Sequence, residues 1–365
     1  MDKYLLAQSE KADSVEALRD CLEQLGELPA DASFGFIYAT DVFAPRMSDI
    51  MRDLKEATGI EHWVGSVGVG VCCTGREFYE DPALLLLITD FPEHAVHVFQ
   101  HSTETQAFKL DPDSLHVAVV HGDPRNAEVP GLIDSLPNQW GAGYLVGGLT
   151  SSRSYHFQVA NDIVEGELSG VILDAEIPVV TGLTQGCSPI GPVHRLTKCD
   201  GHLAVEIDGR SALDVFKEDI GEVLARDLRR VGGYIFAGFP VSGTNTGDYL
   251  VRNLTGIDLD EGLIGIGENL EQDSAIMFCR RDGETAVKDL YRMLNEVKQR
   301  LTAPPKGGLY FSCLGRGKHM FGEKSREMQY IAESLGDVPL VGFYANGEIS
   351  GNRLYGYTGV LTIFT

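Results

Sequence analysis

Along the chain, runs of β-branched and aromatic residues alternate with stretches of helical periodicity, and the same order returns. Phe34-Gly-Phe-Ile-Tyr38 reads as a strand, Met47–Thr58 as a helix, His62-Trp-Val-Gly-Ser66 as a second strand, and Leu84–Thr89 as a closing apolar strand. Val117–Val120, a short helix at Val129–Leu136, Tyr144–Thr150 and Gly170–Leu173 repeat that order. Leu309–Cys313, the helix Glu323–Leu335, Pro339–Phe343 and Tyr357–Phe364 repeat it again. From strand start to a glycine in the second strand, Phe34 to Gly65, Val117 to Gly147 and Leu309 to Gly342, the separations are 31, 30 and 33 residues. Such near-constant spacing marks one recurring supersecondary unit. A fourth candidate links Leu203–Ile207, the helix Ala212–Arg230 and Tyr234–Gly238.

Strands separated by helices imply sheets covered by helices, so the expected class is α+β or mixed α/β, with duplicated strand-helix-Gly-turn-strand units forming two related sheet-and-helix domains. The length of 365 residues also favours two domains, with a boundary expected near Asp174–Val180. The first segment, Met1 to Leu25, has no basic n-region or uninterrupted apolar run and reads as an amphipathic helix.

Composition narrows the function classes. With 43% hydrophobic and 23% charged residues the chain can bury ordinary cores. Its 53 acidic and 30 basic residues give a net charge of -23, which repels phosphate backbones and anionic lipid, so neither nucleic acid nor membrane is an expected partner. Seven cysteines, odd in number and mostly within apolar strand-like runs, read as reduced thiols in a cytoplasmic protein.

Candidate chemistry gathers in the turns. Ser312-Cys-Leu-Gly-Arg-Gly-Lys318 and Phe343-Tyr-Ala-Asn-Gly-Glu-Ile349 set Cys313, Arg316, Asn346 and Glu348 among glycines that tolerate positive φ, as a small polar ligand requires. The plain alternative makes Asn346-Gly347 a turn and Cys313 a small buried hydrophobe.

These two stretches, with their C-x-G-R-G and G-F-x-x-x-G-E-I patterns, resemble the C-terminal half of FIST proteins, the F-box and intracellular signal transduction family. Arg252-Asn253-Leu-Thr-Gly-Ile-Asp258 is similar to that family's R-N-L-x-G-x-D element, and Gly147-Gly148 and Ser188-Pro-Ile-Gly-Pro192 to elements further upstream. The likeness runs from about residue 30 to residue 364 and departs at Gly65-Ser-Val-Gly-Val-Gly70, where FIST proteins often carry G-C-[ST]-x-x-G. It implies a FIST N-type domain at 30–175 and a FIST C-type domain at 176–365. It further implies an intracellular sensor of small ligands such as amino acids, signalling through a separate protein such as a histidine kinase or cyclase.

On that reading Arg316 offers a planar donor fork to a ligand carboxylate, Glu348 an anion to its ammonium group, and Asn346 a bridge, with Gly347 allowing close backbone approach. Arg252 and Asn253 are further candidates, and a salt bridge from Arg252 to Asp258 or Asp248 is the structural alternative. Two other classes remain open. Some FIST relatives are reported as haem proteins sensing nitric oxide, for which His194 is the candidate axial ligand and a solvated loop histidine the alternative. A cysteine-dependent enzyme would use Cys313 with its thiol activated by Arg316. His94, His97 and His101 have helical spacing suited to zinc, but the alternation with Val96 and Val98 fits a strand better, so no metal site is expected.

Overall fold

Three apolar strands, Phe34–Thr40, Leu115–Gly122 and Gly307–Cys313, each lie parallel to the strand that follows across a helical crossover: His62–Gly68, Ala142–Leu149 and Leu340–Ala345. Parallel neighbours need such a crossover because the chain must return to the end where it started. The computed structural model describes residues 1–140, 142–241 and 248–365. Within the three pairs, Ile37 faces Gly65, Val120 faces Gly147 and Tyr310 faces Gly342. A Cβ at any of these glycines would collide with the carbonyl oxygen of the residue opposite. The three glycines therefore share one environment, a close backbone approach that no side chain permits.

The chain forms two units, residues 1–184 with 288–365, and residues 185–287. In the first, each parallel pair sits at the centre of a six-stranded sheet. On one side an antiparallel strand closes it: Leu84–Thr89, Leu168–Leu173 or Thr358–Phe364. On the other side lies a hairpin supplied by a different stretch of chain. Gly70–Cys73 with Arg76–Tyr79 joins Leu340–Ala345, Gln158–Ala160 with Asp162–Val164 joins His62–Gly68, and Glu348–Gly351 with Arg353–Tyr355 joins Ala142–Leu149. After its second strand the chain thus leaves its own sheet and completes a neighbouring one.

Alternation along the strands explains the layers. Phe34, Phe36 and Tyr38 point to a core shared with Val119, Val146, Phe311 and Phe343 from the other two sheets. Ile37 and Ala39, on the opposite face, pack beneath the helices Ser14–Leu25 and Met47–Thr58. Within the shared core, His121 Nε2 lies 3.1 Å from the Tyr38 hydroxyl, and burial lowers the imidazole's pKa to about 3, so it is neutral.

The second unit contains a seven-stranded antiparallel sheet among the described residues, with Ala212–Ala225 packed on one face through Leu213, Phe216 and Ile220. The stretch read as a fourth copy is built differently. Leu203–Ile207 pairs with Cys187–Asp200 and Leu263–Ile266, whereas Ile235–Pro240 pairs with Tyr249–Asp258 and Ala275–Arg281. The helix there ends at Ala225, after a break at Gly221, where φ is 76°.

The N-terminal segment also departs from the helical reading. Leu5–Ser9 is a strand against Leu84–Thr89, and the helix begins only at Ser14, where the Asp13 carboxylate accepts from the amides of Val15 and Glu16. Val96–Phe99 is a strand, as its alternation predicts, with His94 in the turn before it.

Candidate functional site

The turn that carries the candidate arginine is shaped by its two glycines. Arg316 N donates to Cys313 O at 2.8 Å, and Leu314 N to Ala345 O at 3.0 Å, folding the chain back at the end of Gly307–Cys313. A Cβ on Gly315 would press on the Tyr357 ring, and one on Gly317, where φ is +50°, would collide with the Tyr79 hydroxyl. Held between these rings, the turn sends the Arg316 side chain inward, where it is wholly buried.

There it meets Glu327, also wholly buried, from the helix Arg326–Leu335. Arg316 Nε donates to Glu327 Oε1 at 2.8 Å, and Nη2 lies 2.7 Å from the same oxygen. The Glu327 carboxylate further accepts from Tyr310 Oη at 2.7 Å, Ser312 Oγ at 3.0 Å and Gly317 N at 3.0 Å. The guanidinium lies 5.0 Å above the Phe321 ring. Of the arginine's donors only Nε is therefore hydrogen-bonded to Glu327, while Nη2 touches the carboxylate as an ion pair and neither Nη1 nor Nη2 has a hydrogen-bond partner among the described residues.

Glu348 opens the strand Glu348–Gly351 and is likewise wholly buried. Its Oε2 accepts from Thr358 N at 3.1 Å and Thr358 Oγ1 at 2.8 Å, and its Oε1 has no hydrogen-bond partner among the described residues. Burial pushes its pKa up to about 8, against the opposing pull of the Thr358 bonds, Arg316 and the neighbouring Cys313 thiol. Cys313 is close enough for Glu348 to raise its thiol further above a range already elevated by burial, while Gly315 N donates to Sγ at 3.4 Å. A thiol held protonated in this way is a poor nucleophile at neutral pH.

Cys313, Arg316 and Glu348 thus interact in one buried cluster. Asn346 and Gly347 lie in the adjoining turn, where they do structural work. Asn346 N and Nδ2 donate to Leu149 O at 3.0 Å and Thr150 O at 3.1 Å, and the Asn346 side chain is exposed. Gly347 O accepts from Leu149 N at 2.9 Å, and a Cβ there would crowd Leu354.

Arg252 and Asn253 belong to the second unit. Arg252 Nε donates to Glu268 at 2.7 Å, an acid other than the two expected from sequence, and Asn253 O accepts from Gly267 N at 2.9 Å. His194, the candidate haem ligand, has both ring nitrogens engaged: Nδ1 with Asp208 at 2.7 Å and Nε2 with Asp219 at 2.9 Å. Both imidazole nitrogens are thus hydrogen-bonded to carboxylates, and a haem role for this residue would require breaking one of those bonds.

Sequence reasoning did not find Glu327, Thr358 or Tyr357. A glutamate in a helix's first turn ordinarily faces solvent and favours the helix dipole, so nothing in its position marks Glu327 as a buried counter-ion.

Residues 33–210 match the family model of the FIST N domain, and residues 212–351 that of the FIST C domain. Among similar chains, an uncharacterized protein of Mycobacterium tuberculosis is 31% identical over 336 residues, covering 87% of each chain. An uncharacterized protein of Mycobacterium bovis is 27% identical over 374 residues, covering 96% of this chain and 95% of its own.

Proposed function

The chain belongs to the FIST family, whose domains bind small ligands as sensors in signal transduction, and from that premise we propose that it senses a free amino acid or a similar small amine at the Cys313–Arg316–Glu348 cluster. One observation carries the reading: Glu348 Oε1 and the Arg316 Nη1 and Nη2 groups, an acceptor and donors, are buried and without a geometrically sound hydrogen bond among the described residues, the Cys313 thiol being a weak donor beside Glu348. Buried polar atoms are almost always satisfied, and each one left open costs about 1–3 kcal/mol, so a pair of opposite character suits a ligand that presents an ammonium at one end and a carboxylate at the other.

The roles are sharper than the sequence suggested. Arg316 offers the N–H groups of Nη1 and Nη2, its Nε being held by Glu327, and Glu348 supplies the acceptor. Cys313, Leu314 and Gly315 are partly exposed, whereas Arg316 and Glu348 are buried, so a ligand would reach the cluster past the turn at residues 313–315. Signal output goes to a separate protein. The cysteine-enzyme reading is disfavoured by the raised thiol pKa. A thermal-shift screen of the wild-type protein against free amino acids tests the proposal. A ligand at 100 times its dissociation constant stabilises by about 2.7 kcal/mol, and no shift with any amino acid or simple amine counts against it.

A further inference from the structure

In the second unit, the family-like Arg252–Asp258 stretch builds something that the ligand cluster does not use. The strand Tyr249–Asp258 slips register between Leu254 and Gly256 where it pairs with Leu263–Ile266. That bulge floors an open groove lined by Leu254, Ile257 and Leu259, facing Leu228 and Val231. Neither Gly232 nor Gly256, which also line it, would bring a Cβ within 4 Å of a neighbour, so the groove is not filled from within. Leu259 is 65% exposed at its rim.

The charges around that leucine have one dominant sign. Asp258, Asp260 and Glu261 are exposed beside it, and Asp258 Oδ1 fixes their turn by accepting from the amides of Asp260 at 2.9 Å and Glu261 at 3.0 Å. Across the groove, Arg229 is paired with Asp227 at 2.8 and 3.2 Å, and the exposed Arg230 beside it adds one cation against the three carboxylates at the Leu259 rim. The whole chain carries a net charge of -23.

We infer that this groove is a docking surface for a basic amphipathic segment of a partner protein, its apolar side chains seated on Leu254, Ile257 and Leu259 and its cations meeting Asp258, Asp260 and Glu261. Apolar anchors supply the affinity, and charge complementarity selects the partner and speeds encounter. The inference supplies the output surface that the sensor reading needs. Peptide binding requires no amino-acid ligand, however, so either proposal can fail without the other.

The test is fluorescence anisotropy with two labelled 18-residue amphipathic peptides sharing one leucine face, one with lysines on its polar face and one with glutamates. The lysine peptide is expected to bind the full chain. Leu259→Ser, with an unchanged unfolding midpoint, is expected to weaken it at least tenfold. Asp260→Lys with Glu261→Lys is expected to abolish binding, while Glu23→Lys with Glu27→Lys, the same charge change on exposed residues of the first unit, leaves it nearly intact. Four results overturn the inference: neither peptide binds, the glutamate peptide binds as well or better, Leu259→Ser changes nothing, or both charge reversals weaken binding equally.

Discussion

The Arg316 guanidinium and the Glu327 carboxylate, each with 0% of its side chain exposed, lie 2.7 Å apart. Glu327 thereby ties the helix Arg326–Leu335 to the turn that carries the candidate site. Removing one member of such a pair leaves the other charged and unsolvated. Glu327→Gln is expected to destabilise the protein by about 3–5 kcal/mol in urea unfolding. A loss below about 1 kcal/mol would mean that the pair is solvated and the cluster open.

Gly342 faces Tyr310 as Gly65 faces Ile37 and Gly147 faces Val120. Alanine at any of the three is expected to cost at least about 1–3 kcal/mol, the scale of overpacking a filled core, because the new methyl meets backbone and not a movable side chain. Gly131, in the helix Val129–Ser135, has open space around it, and Gly131→Ala should stabilise by about 0.5–1 kcal/mol. Equal unfolding midpoints for all four variants would refute the close-approach account.

These glycines were legible in the sequence because backbone crowding admits one residue type, and their spacing survives whatever surrounds them. Cys313, Arg316 and Glu348 were legible as a group for a similar reason: they flank glycines in turns. What stayed hidden depends on chain segments meeting in space. Glu327 looks like any first-turn glutamate. The departure of the Glu348 strand into the sheet of Ala142–Leu149 leaves no local mark, and the passage into the second unit at Gln185 lacks linker composition. The Met1–Leu25 segment was misread because the pairing of Leu5–Ser9 with Leu84–Thr89 overrides a helical pattern.

His194 sets a pH dependence whose sign can be worked out. Burial lowers its pKa, but the hydrogen bonds to Asp208 and Asp219 outweigh burial and the net shift is upward. The folded state therefore holds the proton more tightly than the unfolded chain. This stabilisation is complete below the unfolded value of about 6.5 and is lost as pH rises through the elevated folded value. Urea midpoints of the wild type and His194→Gln, compared from pH 5.5 to 9 on this scale, are expected to converge as pH rises. A gap independent of pH would show that His194 is neutral throughout.

Glu348 decides the central claim. With a pKa pushed up to about 8, it is mostly protonated at neutral pH. An ammonium group pairs with the carboxylate, so binding ionises Glu348 and releases a proton. Affinity should then rise by roughly tenfold per pH unit up to about pH 8 and level off above it. Glu348→Gln keeps the shape of the protonated side chain and removes the anion. The decisive measurement is isothermal titration of the amino acid found by screening into the wild type and Glu348→Gln at two pH values, about one unit below the Glu348 pKa and near it. The account predicts tighter wild-type binding at the higher pH, and binding to the variant at least tenfold weaker and independent of pH. Undiminished affinity in a folded Glu348→Gln variant would contradict it.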